Sequence, residues 1–222
     1  MGRDREQPDR DRDAGDSAPI FHLTRHGSSI RTVRSLVPIL QRDGVVLLPT
    51  DTIYGFSARF DRIEARNRIR RIKGPARPVA MVSLVSGLEM AFRYAEPPHG
   101  ASHEILMRHW PGPLTAILRA RPHVSTDLCG PGDTLAFRWP MSAFLQALLG
   151  AIGVPLLSTS ANRTGEPTPG QFSTLQELFG AEVDALVDGG DHPGQASTIV
   201  DLTGEFPVLV RPGAVTIDLP PA

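Results

Sequence analysis

Polar side chains directly follow four short apolar stretches of the sequence, each typical of a buried strand. In α/β proteins the loops at the carboxyl ends of strands converge on one crevice, where ligands bind. These side chains are therefore expected to line one pocket, although they are distant in sequence. Each cluster alone is more typical of a turn than of a site, and only their joint placement favours a site. In chain order they are Thr50-Asp51-Thr52, Arg138, the segment from Ser158 to Asn162, and Arg211.

Two basic residues in this pattern are suited to anionic ligands. Lys73 follows a predicted helix and precedes Gly74-Pro75, and a lysine on such a bend can meet a phosphate as a point charge. The alternative is a solvent-facing surface lysine. Arg138 lies between Phe137 and Trp139, where an unpaired buried guanidinium would be costly. Its partner is a carboxylate of either the protein or a substrate, and the sequence leaves both open.

The motifs of several enzyme classes are missing from the sequence. It has no Walker loop, no Gly-x-Gly-x-x-Gly dinucleotide turn and no zinc-type spacing of His and Cys. Ser158 and Ser160 lie outside any Gly-x-Ser-x-Gly elbow, which argues against a serine hydrolase. The single cysteine, Cys129, excludes an intramolecular disulfide bond and is interpreted as an unreactive thiol. The segment from Asp188 to Asp191 is more typical of a tight turn than of a cation site.

Helical and strand patterns intermix along the chain, and the last strands follow one another without helices between them. This order predicts an α/β fold with a mixed sheet rather than a regular doubly wound one. Helices are predicted over 29–40, 63–72, 88–94, 102–110, 143–149 (ended by Gly150) and 175–179. Strands are predicted over 45–49, 79–85, 114–118, 135–137, 155–158, 185–187, 198–202 and 208–210.

Composition and charge indicate one α/β domain. The chain has 222 residues, of which 41% are hydrophobic and 21% charged, with a formal net charge of −1. This balance gives no global field that would favour nucleic acid or a membrane. The sequence shows neither a long apolar run nor a secretory signal, so a cytoplasmic protein without membrane association is expected. Residues 1–19 are predicted to be a disordered charged arm and residues 20–222 a single domain.

Taken in order, the motifs resemble those of the YrdC-like family, which makes threonylcarbamoyl-AMP for tRNA modification. The resemblance covers about residues 28 to 215, and it rests on the ordered set, since each motif alone is weak. The matching segments are Pro49 to Gly55, Ile72-Lys73-Gly74, Trp110 to Thr115, Arg138-Trp139-Pro140, Ser158 to Asn162 with Gly165, Asp188-Gly189-Gly190, Ser197 to Asp201, and Leu209 to Gly213.

The resemblance implies an open, twisted mixed sheet with flanking helices around a basic cavity. It implies a nucleotidyltransferase that uses ATP, L-threonine and bicarbonate, with Mg²⁺ accompanying ATP and pyrophosphate released. Possible partners are tRNA and the threonylcarbamoyl-transferase complex. No catalytic residue and no metal ligand are assigned, because positioning and charge stabilisation suffice. By position, threonine would be held by Thr52, Arg138, Ser160 and Ser197, and ATP by Lys73, Arg77, Thr134, Ser158, Asn162 and Arg211.

One departure from the family pattern lies in the residues that are expected to bind the phosphates of ATP. Many members carry Lys-x-Arg after the second helix, whereas this chain has Pro75 at the third position and offers Arg77 as a shifted substitute. If Arg77 cannot replace that arginine, nucleotide binding would be weak, or the chain would be a divergent relative. The sequence also ends soon after Gly213, as in the short form of the family.

Two other functions are compatible with the same sequence. One is a non-catalytic relative that binds double-stranded RNA or tRNA in the basic cavity, although the sequence shows no aromatic-plus-basic stacking surface. The other is a carbamoyl-transfer domain of the hydrogenase-maturation or antibiotic-tailoring type. Such domains belong to much longer chains, so the synthase is the leading hypothesis.

Overall fold

The computed structural model describes residues 18–23, 30–75 and 81–220. Most of the predicted charged arm and the predicted nucleotide-binding residue Arg77 lie outside these residues.

Within the described residues, ten strands form one mixed sheet in the order β1-β8-β2-β3-β7-β4-β6-β5-β9-β10. Four neighbouring pairs are parallel (β1 with β8, β2 with β8, β4 with β6, β5 with β9), and the other five are antiparallel. The strands are β1 (Ile20–His22), β2 (Val46–Pro49), β3 (Tyr54–Arg59), β4 (Val82–Leu84), β5 (Leu114–Arg119), β6 (Thr134–Arg138), β7 (Leu156–Ser160), β8 (Ala185–Asp188), β9 (Thr198–Asp201) and β10 (Val208–Arg211). The predicted α/β class with a mixed sheet is confirmed.

Six α-helices lie in the described part of the chain: α1 (Ile30–Gln41), α2 (Ile63–Lys73), α3 (Leu88–Phe92), α4 (Gly100–His109), α5 (Ala143–Ile152) and α6 (Phe172–Phe179). The prediction that Gly150 ends α5 is wrong. The helix continues to Ile152 and ends at Gly153, whose φ of 70° is the left-handed conformation that favours glycine. Strands β1 and β3 were not predicted from the sequence.

Alternation along the strands places apolar side chains on both faces of the sheet. Val46 and Leu48 of β2 pack with helices α1 and α5 on one face. Leu47 of β2 and Phe56 of β3 pack with α2 and α6 on the other. A third cluster joins α3 and α4 to β5, β6 and β9 around Phe137. These clusters fix the end of α2 and the turns after β2 and β7 relative to one another.

The described helices are all too short or too polar to cross a lipid bilayer.

Candidate functional site

A cavity of about 520 Å³ lies where several strands end. Its walls come from the turn after β2, the carboxyl end of α2, the ends of β6 and β7, and the approach of β10 to β9. The structure brings eight of the ten predicted site residues to this cavity, which we call the main cavity. They are Thr52, Lys73, Arg138, Ser158, Ser160, Asn162, Ser197 and Arg211.

Lys73 is the last residue of α2 and the only lysine among the 23 Lys and Arg residues of the chain. The alternative of a solvent-facing surface lysine is wrong, since only 5% of the residue is exposed. Its Nζ donates to the Ser160 carbonyl at 2.8 Å, to Ser160 Oγ at 3.2 Å and to Asn162 Oδ1 at 2.7 Å. Burial lowers the pKa of the Lys73 ammonium to about 8. These partners are neutral oxygens, so a bound anion would supply the missing counter-charge.

The turn after β7 holds the partners of Lys73 in place. Asn162 Nδ2 donates to the carbonyls of Arg163 at 2.9 Å and Glu166 at 2.6 Å, which orients Oδ1 toward the lysine. Ser160 Oγ also donates to Asn162 Oδ1, at 2.5 Å. Gly165 has a φ of 93°, a conformation open to glycine, and this closes the turn beside the cavity. Ser160 and Asn162 are therefore fixed before any ligand arrives.

Arg138 ends β6 and is 6% exposed. Its Nη1 donates to Thr52 Oγ1 at 2.8 Å, and Nη2 lies 3.3 Å from Asp51 Oδ1. Asp51 in turn accepts from the Met141 backbone N–H at 3.0 Å. Burial lowers the pKa of the Arg138 guanidinium, and the Asp51 charge opposes this shift. Of the two partners left open by the sequence, a protein carboxylate is therefore present, and Arg138 orients the Thr52 hydroxyl as well.

The turn after β2 is organised around the Thr50 hydroxyl. Thr50 Oγ1 donates to the Ile53 carbonyl at 2.7 Å and accepts the backbone N–H groups of Thr52 at 3.1 Å and Ile53 at 3.2 Å. Gly194 packs against this turn, and a Cβ on it would lie 1.8 Å from the Thr52 carbonyl oxygen. The position of Thr52 thus depends on bare backbone at residue 194.

Ser197 and Arg211 line another part of the main cavity. Ser197 Oγ lies 2.8 Å from Thr115 Oγ1, and Arg211 Nη2 donates to the Ser197 carbonyl at 2.8 Å. Gly213 permits this approach, because a Cβ there would lie 2.3 Å from the Ala196 carbonyl oxygen. Arg211 is exposed along much of its length, so its guanidinium is accessible to a ligand in the cavity.

The floor of the main cavity is formed by β7 and β3. Ser57 Oγ donates to Ser158 Oγ at 3.2 Å, which leaves the Ser158 hydroxyl proton available for another acceptor. A Cβ on Gly55 would lie 2.7 Å from Ser158 Oγ. A glycine here keeps the floor open beside Ser158.

Thr134, one of the predicted ATP-binding residues, lies elsewhere. It lines a second cavity of about 430 Å³, together with Arg66, Arg70 and Cys129, and the two cavities share no lining residue. Its hydroxyl donates to the Pro131 carbonyl at 3.0 Å. The role of Thr134 in ATP binding stays a prediction, as does that of Arg77.

Tyr54, Thr164 and Glu166 are polar residues that also line the main cavity, and none of them was assigned a role from the sequence. Tyr54 bridges β3 to the loop after β8, donating to the Gly190 carbonyl at 2.8 Å and accepting from Gly189 N–H at 2.9 Å. Burial raises the pKa of its phenol to about 12. Thr164 and Glu166 come from the turn after β7. Tyr54 lies within a matching motif, whereas Glu166 carries no sequence signal.

Charge in the main cavity is predominantly positive. Lys73, Arg138 and Arg211 line it, and Glu166 is the one acidic residue among the lining residues that the structure describes. Such a site favours ligands with two or more negative groups. The cavity also contains backbone carbonyls, which accept hydrogen bonds, and hydroxyls, which both donate and accept them.

Comparison with known proteins agrees with this geometry. A family model named for Sua5, YciO and YrdC, and described as telomere recombination, matches residues 38–213. A Pyrococcus abyssi protein named threonylcarbamoyl-AMP synthase is 31% identical over 84% of this chain and 55% of its own length. The chain spans about half the length of this relative and of its Bacillus subtilis counterpart.

Two solved structures share the fold. E. coli YciO superposes with a TM-score of 0.81 at 27% identity, over 88% of this chain and 96% of YciO. P. abyssi Sua5 in complex with L-threonine superposes with a TM-score of 0.78 at 28% identity, over 88% of this chain and 57% of Sua5. The motifs, the sheet and the matched family model agree, and the chain belongs to the Sua5/YciO/YrdC family.

Proposed function

We propose that the chain is a threonylcarbamoyl-AMP synthase, which converts ATP, L-threonine and bicarbonate to threonylcarbamoyl-AMP and pyrophosphate. Relatives of that name and a relative in complex with L-threonine support this activity. The observation that carries the proposal is the main cavity: among the described residues Lys73 has no carboxylate partner there, and Arg138 and Arg211 add further positive charge.

Threonine would bind at the end of the cavity that holds Arg138. The guanidinium attracts the substrate carboxylate and keeps the Thr52 hydroxyl oriented toward it. Ser160 and Ser197 would contribute hydroxyls for the amine and side chain of threonine. Ser197 is held by Thr115 at 2.8 Å, so its position is set in advance.

ATP would bind nearer the carboxyl end of α2. Lys73 would exchange one of its neutral partners for a phosphate oxygen, and Arg211 would approach from β10. Ser158 and Asn162 also line the cavity and would be further hydrogen-bond partners. Thr134 would reach a part of the nucleotide that extends beyond the main cavity, and Arg77 remains a candidate phosphate partner.

No side chain of the protein needs to act as a nucleophile in this reaction. The amine of threonine and bicarbonate give a carbamate with loss of water. A carbamate oxygen then attacks the α-phosphorus of ATP, the new O–P bond forms, and the bond to the β-phosphate bridging oxygen breaks as pyrophosphate leaves with the electron pair. Lys73 and Arg211 would stabilise the negative charge that accumulates on the phosphates, and Arg138 would align the carbamate.

Magnesium would enter with ATP. Mg²⁺ commonly takes one or two carboxylates plus substrate phosphates and water. Glu166 is the acidic residue that lines the cavity, and no cluster of three potential metal ligands occurs among the residues described. A metal carried by the phosphates would fit this lining, Glu166 would be a protein ligand for it, and the ion would neutralise phosphate charge when bound.

The decisive experiment is pyrophosphate release by the purified protein with ATP, Mg²⁺, bicarbonate and L-threonine, each omitted in turn. The synthase requires threonine and bicarbonate together, and the product should be threonylcarbamoyl-AMP by mass spectrometry. A folded protein that releases no pyrophosphate but binds tRNA would favour the non-catalytic relative. Transfer to tRNA, a transferase partner and a cytoplasmic location remain predictions beyond this assay.

A further inference from the structure

We propose that Arg163 is a positioning residue that fixes the place of Lys73 from outside the main cavity. The inference rests on the proposed function, in which Lys73 binds a phosphate of ATP. Arg163 is not among the residues that line the cavity, and its side chain is 40% exposed. It acts through the carboxyl end of α2.

The guanidinium of Arg163 joins three elements. Nη1 donates to the carbonyl of Ile72, the residue before Lys73. Nη1 and Nη2 also donate to the two carboxylate oxygens of Glu182, at 3.1 and 2.5 Å, in a bidentate pair. The guanidinium carbon lies 5.1 Å from the centre of the Phe179 ring at the end of α6. Arg163 therefore anchors the last turn of α2 to the segment that follows α6.

The backbone around Arg163 makes the same connection. The last four carbonyls of a helix have no partner within the helix. Here the Lys73 carbonyl accepts from Thr164 N–H at 2.9 Å, next to the contact that Arg163 makes with Ile72. The Arg163 carbonyl in turn accepts from Asn162 Nδ2, whose own Oδ1 accepts from Lys73 Nζ. Lys73 is thus held at its backbone and at its ammonium by one short segment.

This double attachment has an energetic consequence. A buried ammonium with neutral partners gains by moving into water, so the end of α2 must be restrained to keep Lys73 in the cavity. Charged or titratable side chains on the surrounding elements are Glu166 in the turn, Tyr54 on β3, Arg138 on β6 and Arg211 on β10. The hydrogen bonds of Nζ go to Ser160 and Asn162 instead. Loss of Arg163 would let the ammonium shift toward solvent.

The experiment compares Arg163→Ala with Arg59→Ala. Arg59 is a matched control because it also forms a bidentate pair with a carboxylate, to Asp61 at 2.9 and 2.7 Å, at the end of β3. Two quantities are measured in the folded protein: the dissociation constant for ATP by calorimetry, and the pKa of Lys73 by NMR of ¹³C-labelled lysine. In this NMR spectrum the labelled position gives one resonance, because the chain contains one lysine.

For Arg163→Ala we expect the ATP dissociation constant to rise about tenfold, as when one charge-assisted hydrogen bond is lost. The pKa of Lys73 should rise from about 8 toward its ordinary value of 10.5. Arg59→Ala should change neither quantity. Glu182→Gln, which keeps the Arg163 contact to Ile72, should have a smaller effect than Arg163→Ala.

A purely structural role for Arg163 would lower the melting temperature and leave the Lys73 pKa and ATP affinity unchanged, which would overturn the inference. A wild-type protein that does not bind ATP would instead contradict the proposed function. In that case the Lys73 pKa of the Arg163→Ala variant still decides whether Arg163 positions Lys73.

Discussion

Arg138 Nη1 donates a hydrogen bond of 2.8 Å to Thr52 Oγ1, across 86 positions of the sequence. This contact joins the end of β6 to the turn after β2, and the Asp51 carboxylate lies 3.3 Å from the neighbouring nitrogen, Nη2. One guanidinium therefore orients a hydroxyl, balances a buried carboxylate and faces the main cavity. A planar group with donors in fixed directions can do all three, whereas an ammonium cannot.

The first prediction is that Arg138→Lys weakens the use of threonine more than the binding of ATP. The compact ammonium of lysine cannot replace the guanidinium fork, which contacts Thr52, Asp51 and a substrate carboxylate at the same time. We expect kcat/KM for threonine to fall by about tenfold or more, the loss of one or two charge-assisted hydrogen bonds. ATP affinity, measured by calorimetry without threonine, should change little.

Melting temperature is the control for Arg138→Lys, because the side chain is buried and paired. Equal losses for threonine and ATP would mean that Arg138 supports the site as a whole and has no selective role at its threonine end.

The second prediction concerns Lys73→Met. Methionine fills similar space but carries no charge, so ATP affinity should fall at least about tenfold. The fold should tolerate the change, because Asn162 Oδ1 keeps its hydrogen bond from Ser160 Oγ. A variant that binds ATP like the wild type would remove Lys73 from the phosphate site.

Chemical denaturation at several pH values provides a second readout for Lys73→Met. The pKa of Lys73 is lowered in the folded protein, to about 8 from 10.5. Between these values the unfolded chain binds more protons, so the wild type should gain stability as pH rises through this window. The methionine variant should lack this gain.

The third prediction is a pH dependence of ATP affinity. A bound phosphate stabilises the charged lysine and raises its pKa, so binding above pH 8 requires uptake of a proton. Affinity should fall as pH rises through about 8, because an increasing fraction of Lys73 is then neutral in the free protein. Lys73→Arg should remove the decline, since arginine stays protonated up to about pH 12. Calorimetry in buffers of different ionisation enthalpy would measure the proton uptake, and a flat wild-type profile up to about pH 10 would contradict the prediction.

The sequence predicted most of the elements because their patterns are local. The residues of α2 alternate between an apolar and a basic face, and the strands β2 and β8 are short apolar stretches bounded by turns. By contrast, β1 has three residues and depends on pairing with β8, far away in sequence. β3 was missed because Gly55 and Ser57 interrupt its apolar character, and both residues face Ser158 in the folded protein.

Most residues of the site were predicted from the sequence, but the burial of Lys73 was not. The family resemblance assigned Lys73 and Asn162 to ATP and Ser160 to threonine, and the structure joins all three by hydrogen bonds. The burial of Lys73 depends on how the turn after β7 folds over the end of α2, and no local pattern encodes this. The role of Arg163 was not predicted for the same reason, because its partner Glu182 belongs to another element.

The last prediction tests the turn after β2 through a residue that is distant in sequence. Gly194→Ala would place a methyl group 1.8 Å from the Thr52 carbonyl oxygen, far inside van der Waals contact. The clash involves backbone on both sides, so either the loop at residue 194 or the turn that carries Thr52 must move. Overpacking of this kind costs about 2 kcal/mol of unfolding free energy. Because Thr52 lies at the threonine end of the cavity, KM for threonine should rise more than KM for ATP.

Gly204→Ala is the matched control, since its Cβ would meet the nearest atom, the Phe206 carbonyl oxygen, at an ordinary 3.5 Å. If Gly194→Ala and Gly204→Ala gave the same kinetics and stability, the close approach of residue 194 to Thr52 would have no part in shaping the site.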